Sequence, residues 1–396
     1  MEMKRKSEQP ILPGGTIGIL GGGQLGRMLA LEGKRMGYRI MILDPSPDCP
    51  AGEVADHHIV ADYQDDLAAK QLIQMADVTT YEFENIDLGI VEELERRSYL
   101  PQGHQLLAVT RHRLQEKKVL KQGNIPVAPY AEVRNLDDLR TGLKQLGTPA
   151  VLKTVTGGYD GKGQWLIRTP EQGKEALQDV QEGQVRILEG YIPFVKEISV
   201  VVARSVQGDI RCFTPVENIH RNHILHMTIA PARVEPGVLE EAQELAKQVA
   251  KRLQVVGLLA VEMFLLKDQR LLVNELAPRP HNSGHFTYDA CTVSQFEQHL
   301  RCICGLPLGS PRLLSPAVMV NILGEHVSPL MKHLPDLPGE AKLHLYGKKE
   351  RKKGRKMGHV TFLGDSVDMM INEVNNLGIW GQEVKQKGQG DGVFSP

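Results

Sequence analysis

The chain is poor in the features that mark secreted, membrane-spanning or nucleic-acid-coating proteins. Only five cysteines occur in 396 residues, at positions 49, 212, 291, 302 and 304, an odd number without two spaced CxxC pairs. Neither a disulfide framework nor a cysteine-rich zinc site is indicated, and a reducing cytoplasm is expected. Long apolar runs are missing too. The longest, Leu258 to Leu266, carries Glu262 in its middle and falls far short of the ~20 residues a bilayer helix needs. No apolar segment follows the polar, partly basic start Met1 to Pro10, so a flexible leader over residues 1–13 is expected in place of a secretory signal. Neither sign of charge prevails. Lys and Arg number 47 against 48 Asp and Glu, for a net charge of −1, and no global field argues for nucleic acid or a membrane as the partner. Internal repeats and low-complexity tracts are absent.

What is present is an α/β rhythm long enough for two or three domains. The apolar run Thr16 to Leu20 ends in Gly21-Gly22-Gly23, a helical pattern runs from Gln24 to Gly37, and Arg39 to Leu43 reads as the next strand. Ile59-Val60 and Val78 to Tyr81 extend this Rossmann-like unit, assigned to residues 14–115 and closed by a helical stretch from His104 to Gln122. Residues 116–310 form the second domain, with a β-rich lid at about 125–192, and residues 311–396 a smaller C-terminal module.

Gly21-x-Gly23-x-x-Gly26 fits a dinucleotide fingerprint in form, but its physical content is only that amides at a helix start can meet an anion, or simply make a tight turn. Glu82 and Glu84 sit where the Val78 to Tyr81 strand ends, on the ligand-binding side of an open sheet. Lys153, then Gly157 to Gly163 with Lys162, would let the main chain close over a polyphosphate, yet lacks the GK[ST] ending of a P-loop. If Asp268-Gln269 is a two-residue hairpin turn, Glu262 falls directly opposite Glu275, a like-charge pair that a cation would relieve. Strict alternation would then aim Asn274 at the other face. Two carboxylates facing phosphates suit octahedral Mg²⁺. His220, His223 and His226 lack a partner to complete a zinc tetrahedron. The tract Lys348 to Lys356 reads as a solvated face or a phosphate anchor, with no interleaved aromatics to favour nucleic acid.

Lys153 with Thr156-Gly157-Gly158-Tyr159-Asp160-Gly161-Lys162-Gly163-Gln164, and Asn274-Glu275-Leu276-Ala277-Pro278-Arg279-Pro280-His281-Asn282-Ser283-Gly284-His285, resemble the N5-carboxyaminoimidazole ribonucleotide synthase family. Gly21 to Met28, Glu82-Phe83-Glu84-Asn85 and Gly354 to His359 agree in order, and the resemblance covers roughly residues 14–380. It implies an α/β ATP-grasp fold with an N-terminal Rossmann-like (pre-ATP-grasp) domain that has lost dinucleotide binding, a β-rich lid and a small C-terminal domain. The activity implied is carboxylation of 5-aminoimidazole ribonucleotide with ATP, Mg²⁺ (Mn²⁺ also serving) and bicarbonate, by a cytoplasmic homodimer.

By the same resemblance, ATP contacts fall on Arg113, Lys153, Gly158, Tyr159, Asp160, Gly161, Lys162, Gly163, Gln164, Glu189, Gly190, Tyr191, Ile192, Glu197, His220, Asn274 and Glu275. Glu262 and Glu275 match the metal carboxylates. Tyr159, Asp160, Lys162 and Arg279 stand near the reacting groups. Gly23, Gln24, Leu25, Glu82, Asn282, Ser283, His285, Lys348, Arg355 and Lys356 are assigned to the ribonucleotide. Competing readings are another ATP-grasp carboxylase or ligase, such as a biotin carboxylase-like or formate-dependent transformylase activity, and a non-catalytic nucleotide-binding protein.

Overall fold

A computed structural model describes residues 9–158, 162–178 and 184–381. The first layer is a four-stranded parallel sheet in the order His57–Val60, Arg39–Asp44, Thr16–Leu20, Val78–Tyr81. Its inner strands are buried almost throughout, as expected of a parallel sheet covered on both faces. The stretch predicted as one helix from His104 is two, His104–Thr110 and Arg113–Gln122, and His112 caps the second through its ring nitrogen. The break aims Arg113 toward the next domain, where its amide donates to Val155 O at 2.9 Å.

The β-rich element is a four-stranded antiparallel sheet, Tyr130–Val133, Arg186–Gly190, Ala150–Thr154 and Gln164–Ile167, covered by the helix Leu136–Leu146. The centre of the molecule is a nine-stranded sheet. It runs from Leu271–Ala277 through Gly257–Leu266, Phe194–Arg204, Val216–Arg221 and Ile224–Ala230 to Ala317–Leu323, Lys356–Leu363 and Lys342–Leu345, with Ile210–Cys212 paired to Phe194–Arg204.

The strands of the expected C-terminal module join the central sheet, since Ala317–Leu323 pairs with Ile224–Ala230. Of the expected leader, residues 1–8 lie outside the described part, but Ile11 is pinned: its amide donates to Cys304 O at 2.9 Å and its carbonyl accepts from the Tyr38 hydroxyl at 2.6 Å. Helix Gln295–Ile303 packs Phe296, Leu300 and Ile303 into the core of the N-terminal domain, tying the parallel sheet to the central sheet. Among the described residues no helix is long and apolar enough to cross a membrane.

Candidate active site

The glycine turn is already filled. Gly22 N donates to Asp44 Oδ2 at 2.7 Å, while Gly23 N and Gly26 N both donate to the Glu82 carboxylate. Gly21 has φ +104°, and a Cβ there would stand 2.4 Å from Glu82 Cγ, so glycine is required by conformation and by space. The amides that a dinucleotide phosphate would need are thus spent on two protein carboxylates. Leu25 is in the core of the domain, Gln24 is half-buried at the helix start, and any ligand contact from Leu25 falls to its backbone.

Between the antiparallel sheet and the central sheet lies a cleft of about 300 Å³. One end of it is lined by Arg113, Lys153, Gly158, Lys162, Gly163, Gln164, Glu189, Gly190, Tyr191, Ile192, Glu197 and His220. Tyr159, Asp160 and Gly161 lie outside the described residues. Gly163 has φ +71° and accepts from Thr154 N, closing the loop back on the Lys153 strand. Lys153 Nζ donates to Glu189 Oε2 at 2.7 Å, and Lys117 stands 3.7 Å from the other oxygen. Burial alone would raise the Glu189 carboxyl, but Lys117 and Lys153 hold it down to about 2. Its side chain is therefore committed to the lysines, leaving the backbone of 190–192 facing the cleft. His220 Nδ1 lies 2.6 Å from Glu197 Oε2; burial opposes charge on the ring, yet Glu197 lifts its pKa above the ordinary value.

The hairpin sets Glu262 opposite Glu275, as the spacing anticipates, but by a different route. The turn is a three-residue loop, closed by Leu266 N to Arg270 O at 2.9 Å with Gln269 at φ +67°, and Leu271 pairs with Leu265. A bulge beyond Val273 restores the register, so Asn274 shares the cleft wall with Glu275 where strict alternation would turn it away. Burial, then the Glu275 charge, push the Glu262 carboxyl above its usual range. Arg113 Nη1 reaches Glu275 Oε2 at 3.4 Å. Among the described residues no three or more His, Cys, Asp or Glu side chains converge as a metal cage. Two carboxylates on one wall fit a hard cation that takes its remaining ligands from water and phosphate.

At the other end of the cleft, Arg279 grips Glu84 of the N-terminal domain with a two-pronged contact, Nη2 to Oε1 at 2.9 Å and Nε to Oε2. Lys356, His281 and Asn282 complete this wall. Ser283 and His285, assigned to the lining by resemblance, are not on it. Both are fully buried, Ser283 bonded to Ser199 and His285 to Gln295, because the 3-10 turn Asn282–Gly284 tucks them behind the surface. Lys348 stands outside this cleft toward the glycine turn, donating to Lys356 O at 2.8 Å over the Tyr346 ring. Burial, then the neighbouring Arg355, push its ammonium down to about 8. Arg355 is exposed beside Glu350.

Several participants escape sequence reading. Lys117 is buried and donates to Asn274 O at 2.8 Å, holding the bulge. Its i,i+4 spacing from Arg113 was the available signal, since both fall on one helix face. Phe194 and Phe264 stack at 4.5 Å in the cleft wall, from strands far apart in sequence. Only the sheet pairing brings them together.

A nucleotide cleft between a small antiparallel sheet and a central sheet bearing paired carboxylates defines an ATP-grasp ligase, and the ATP-grasp domain model matches residues 118–296. The ribonucleotide synthetase preATP-grasp domain matches 15–110, and the phosphoribosylaminoimidazole carboxylase C-terminal domain 317–373. The chain belongs to the N5-carboxyaminoimidazole ribonucleotide synthase family. It is 51% identical over 370 residues to that synthase of Bacillus subtilis, covering 93% of this chain and 97% of the relative. Identity to the Staphylococcus aureus synthase is 42% over 356 residues, covering 90% and 94%. Among solved structures, an ADP complex of an N5-carboxyaminoimidazole ribonucleotide synthetase superposes with a TM-score of 0.91 at 50% identity, covering 94% of this chain and 99% of that one. The Aspergillus clavatus enzyme, in complex with ADP and 5-aminoimidazole ribonucleotide, gives 0.86 at 29% identity, covering 93% and 99%.

Proposed function

We propose that this chain carboxylates the amine of 5-aminoimidazole ribonucleotide with bicarbonate and ATP, giving N5-carboxyaminoimidazole ribonucleotide, ADP and phosphate in purine biosynthesis. The observation that carries the reading is one continuous cleft with lysine, arginine and paired carboxylates at one end and the Arg279–Glu84 clamp with Lys356 at the other. The relative that holds both ADP and 5-aminoimidazole ribonucleotide supports it.

Arg113, Lys153 and His220 neutralise the ATP phosphates, Glu197 holds the ribose, and the backbone of 190–192 meets the adenine between the two sheets. Glu262 and Glu275 hold Mg²⁺ or Mn²⁺, with Asn274 beside them; the ion, when bound, offsets charge on the phosphate oxygens. A bicarbonate oxygen attacks the γ-phosphorus and ADP leaves, so a carboxyphosphate forms. The ribonucleotide amine then attacks its carbonyl carbon, phosphate leaves, and Asp160 takes the amine proton. Tyr159 and Lys162 are assigned to the reacting amine by the family resemblance, and Arg279 serves it from just past the Leu271–Ala277 strand. Catalysis of the first step is mostly positioning and charge neutralisation. Lys348, Arg355 and Lys356, beside the turn Gly23-Gln24-Leu25 and Glu82, anchor the ribonucleotide phosphate. Closure of the antiparallel sheet excludes water from the labile intermediate. The site works in a cytoplasmic homodimer, with the domains bounded near residues 115 and 310.

The test is ADP release measured with and without bicarbonate and 5-aminoimidazole ribonucleotide. Release that needs both supports the reading; release indifferent to the ribonucleotide overturns it.

A further inference from the structure

Behind the cleft wall, a file of side chains that the proposed chemistry does not use runs from the central sheet to the carboxylate pair. Thr228 Oγ1 donates to Asn218 Oδ1 at 3.0 Å, Asn218 Nδ2 to Ser199 Oγ at 2.9 Å, and Ser199 Oγ to Ser283 Oγ at 2.8 Å. Ser283 Oγ lies 2.9 Å from His281 Nδ1, and His281 Nε2 lies 3.4 Å from Glu262 Oε1. The four residues ahead of the imidazole are all buried, so water does not compete for these hydrogens.

The file has a direction. Because the Asn218 carbonyl oxygen accepts from Thr228, its amide hydrogens face Ser199. Ser199 receives one of them and passes its own hydrogen to Ser283. Ser283, already accepting, has its hydroxyl hydrogen left for His281 Nδ1. The Ser283 amide also points at Nδ1, at 3.4 Å. Two donors converge on Nδ1, which must therefore present its lone pair, and the ring hydrogen resides on Nε2.

We infer that Thr228, Asn218, Ser199 and Ser283 are positioning residues that lock His281 in its Nε2–H tautomer, so that the imidazole meets Glu262 as a donor and never becomes a metal ligand. The consequence is metal choice. The 3.4 Å gap between Nε2 and Glu262 Oε1 is close to the ~3 Å between neighbouring ligand atoms on an octahedral ion with bonds of about 2.1 Å. A bare Nε2 would stand beside the Glu262 carboxylate as a nitrogen donor, and an imidazole ligand favours Mn²⁺, Co²⁺ or Zn²⁺ over Mg²⁺. With the hydrogen in place the protein offers oxygen alone. The inference rests on the proposed function only in taking Glu262 and Glu275 as the metal carboxylates.

The experiment reads the tautomer directly, by nitrogen-15 NMR of the metal-free full chain labelled at histidine, with His281→Gln assigning the resonance. In the unaltered protein the protonated nitrogen of residue 281 should be Nε2. Asn218→Asp should exchange it for Nδ1, because the introduced carboxylate accepts from Thr228 and Ser199, Ser199 then accepts from Ser283, and nothing but the weak amide contact donates to His281. The same variant should bind Mn²⁺ relative to Mg²⁺ at least about tenfold better, the scale on which outer-shell partners act. Should Asn218→Asp fail to fold, Ser283→Ala should show a mixture of both tautomers and a smaller shift in the same direction. An Nδ1–H signal in the unaltered protein, or a tautomer and metal preference unmoved in a folded variant, overturns the inference. Ribonucleotide-independent ADP release would instead overturn the ligase reading and leave the tautomer result standing.

Discussion

Glu262 and Glu275 face each other across the hairpin only because the ladder slips by one residue at Asn274. Two carboxylates on directly opposite residues of a hairpin repel, so the pairing works against stability. Because the Glu262 pKa is raised in the folded state, its ionisation destabilises the metal-free protein as pH rises above the ordinary carboxylate range.

Glu262→Gln should therefore melt on the order of a few degrees higher than the parent in mildly alkaline, magnesium-free buffer. Added Mg²⁺ should raise the parent's melting temperature and leave the variant's unchanged. A destabilised variant would contradict the repulsion.

The proposed ATP chemistry makes the complementary prediction. Glu275→Gln should bind ATP yet release almost no ADP, and Glu262→Gln should behave similarly. Glu350→Gln, in the basic tract, should turn over normally. Ordinary ADP production by Glu275→Gln would remove the metal assignment.

Lys348 and Arg355 should reveal themselves in the ribonucleotide Michaelis constant. Charge-assisted contacts contribute about 1.5–3 kcal/mol each, so losing either should raise that constant roughly tenfold or more while sparing ATP. The pair Lys348→Ala with Arg355→Ala should still bind nucleotide but show little ribonucleotide-dependent ADP release. Unchanged saturation would mean that the phosphate is anchored elsewhere.

The depressed ammonium adds a pH signature. Lys348 is a cation below about 8 and loses its proton as pH rises through that value, so ribonucleotide affinity should be full below it and fall above it. Lys348→Arg should flatten this alkaline limb, since guanidinium stays charged. The readout is the pH profile of kcat/KM for the ribonucleotide.

Arg279 and Glu84 join two domains through a fork that lysine cannot reproduce. Arg279→Lys should lower turnover at least about tenfold, whereas Glu84→Gln should also loosen the domains, visible as faster proteolysis near residue 110. Full activity in Arg279→Lys would show that the fork is dispensable.

The sequence alone determined the local matters. Short apolar runs and the glycine turn made the first sheet readable, and the motif around Asn274 to His285 marked a stretch whose residues Asn274 to Ala277, Arg279, His281 and Asn282 line the cleft. Even the Glu262–Glu275 juxtaposition was accessible from hairpin arithmetic, although one extra loop residue and one bulge cancel in that count. What only the tertiary structure decided concerns residues whose partners are distant along the chain. Glu82 turns inward to the glycine amides 56 and 59 residues away, Ser283 and His285 fall behind the wall they were expected to line, and the strands after Pro311 join the central sheet. The physical reason is range. Periodicity and turn chemistry act over a few residues, whereas a buried polar group finds its partner only after sheets stack and water is gone.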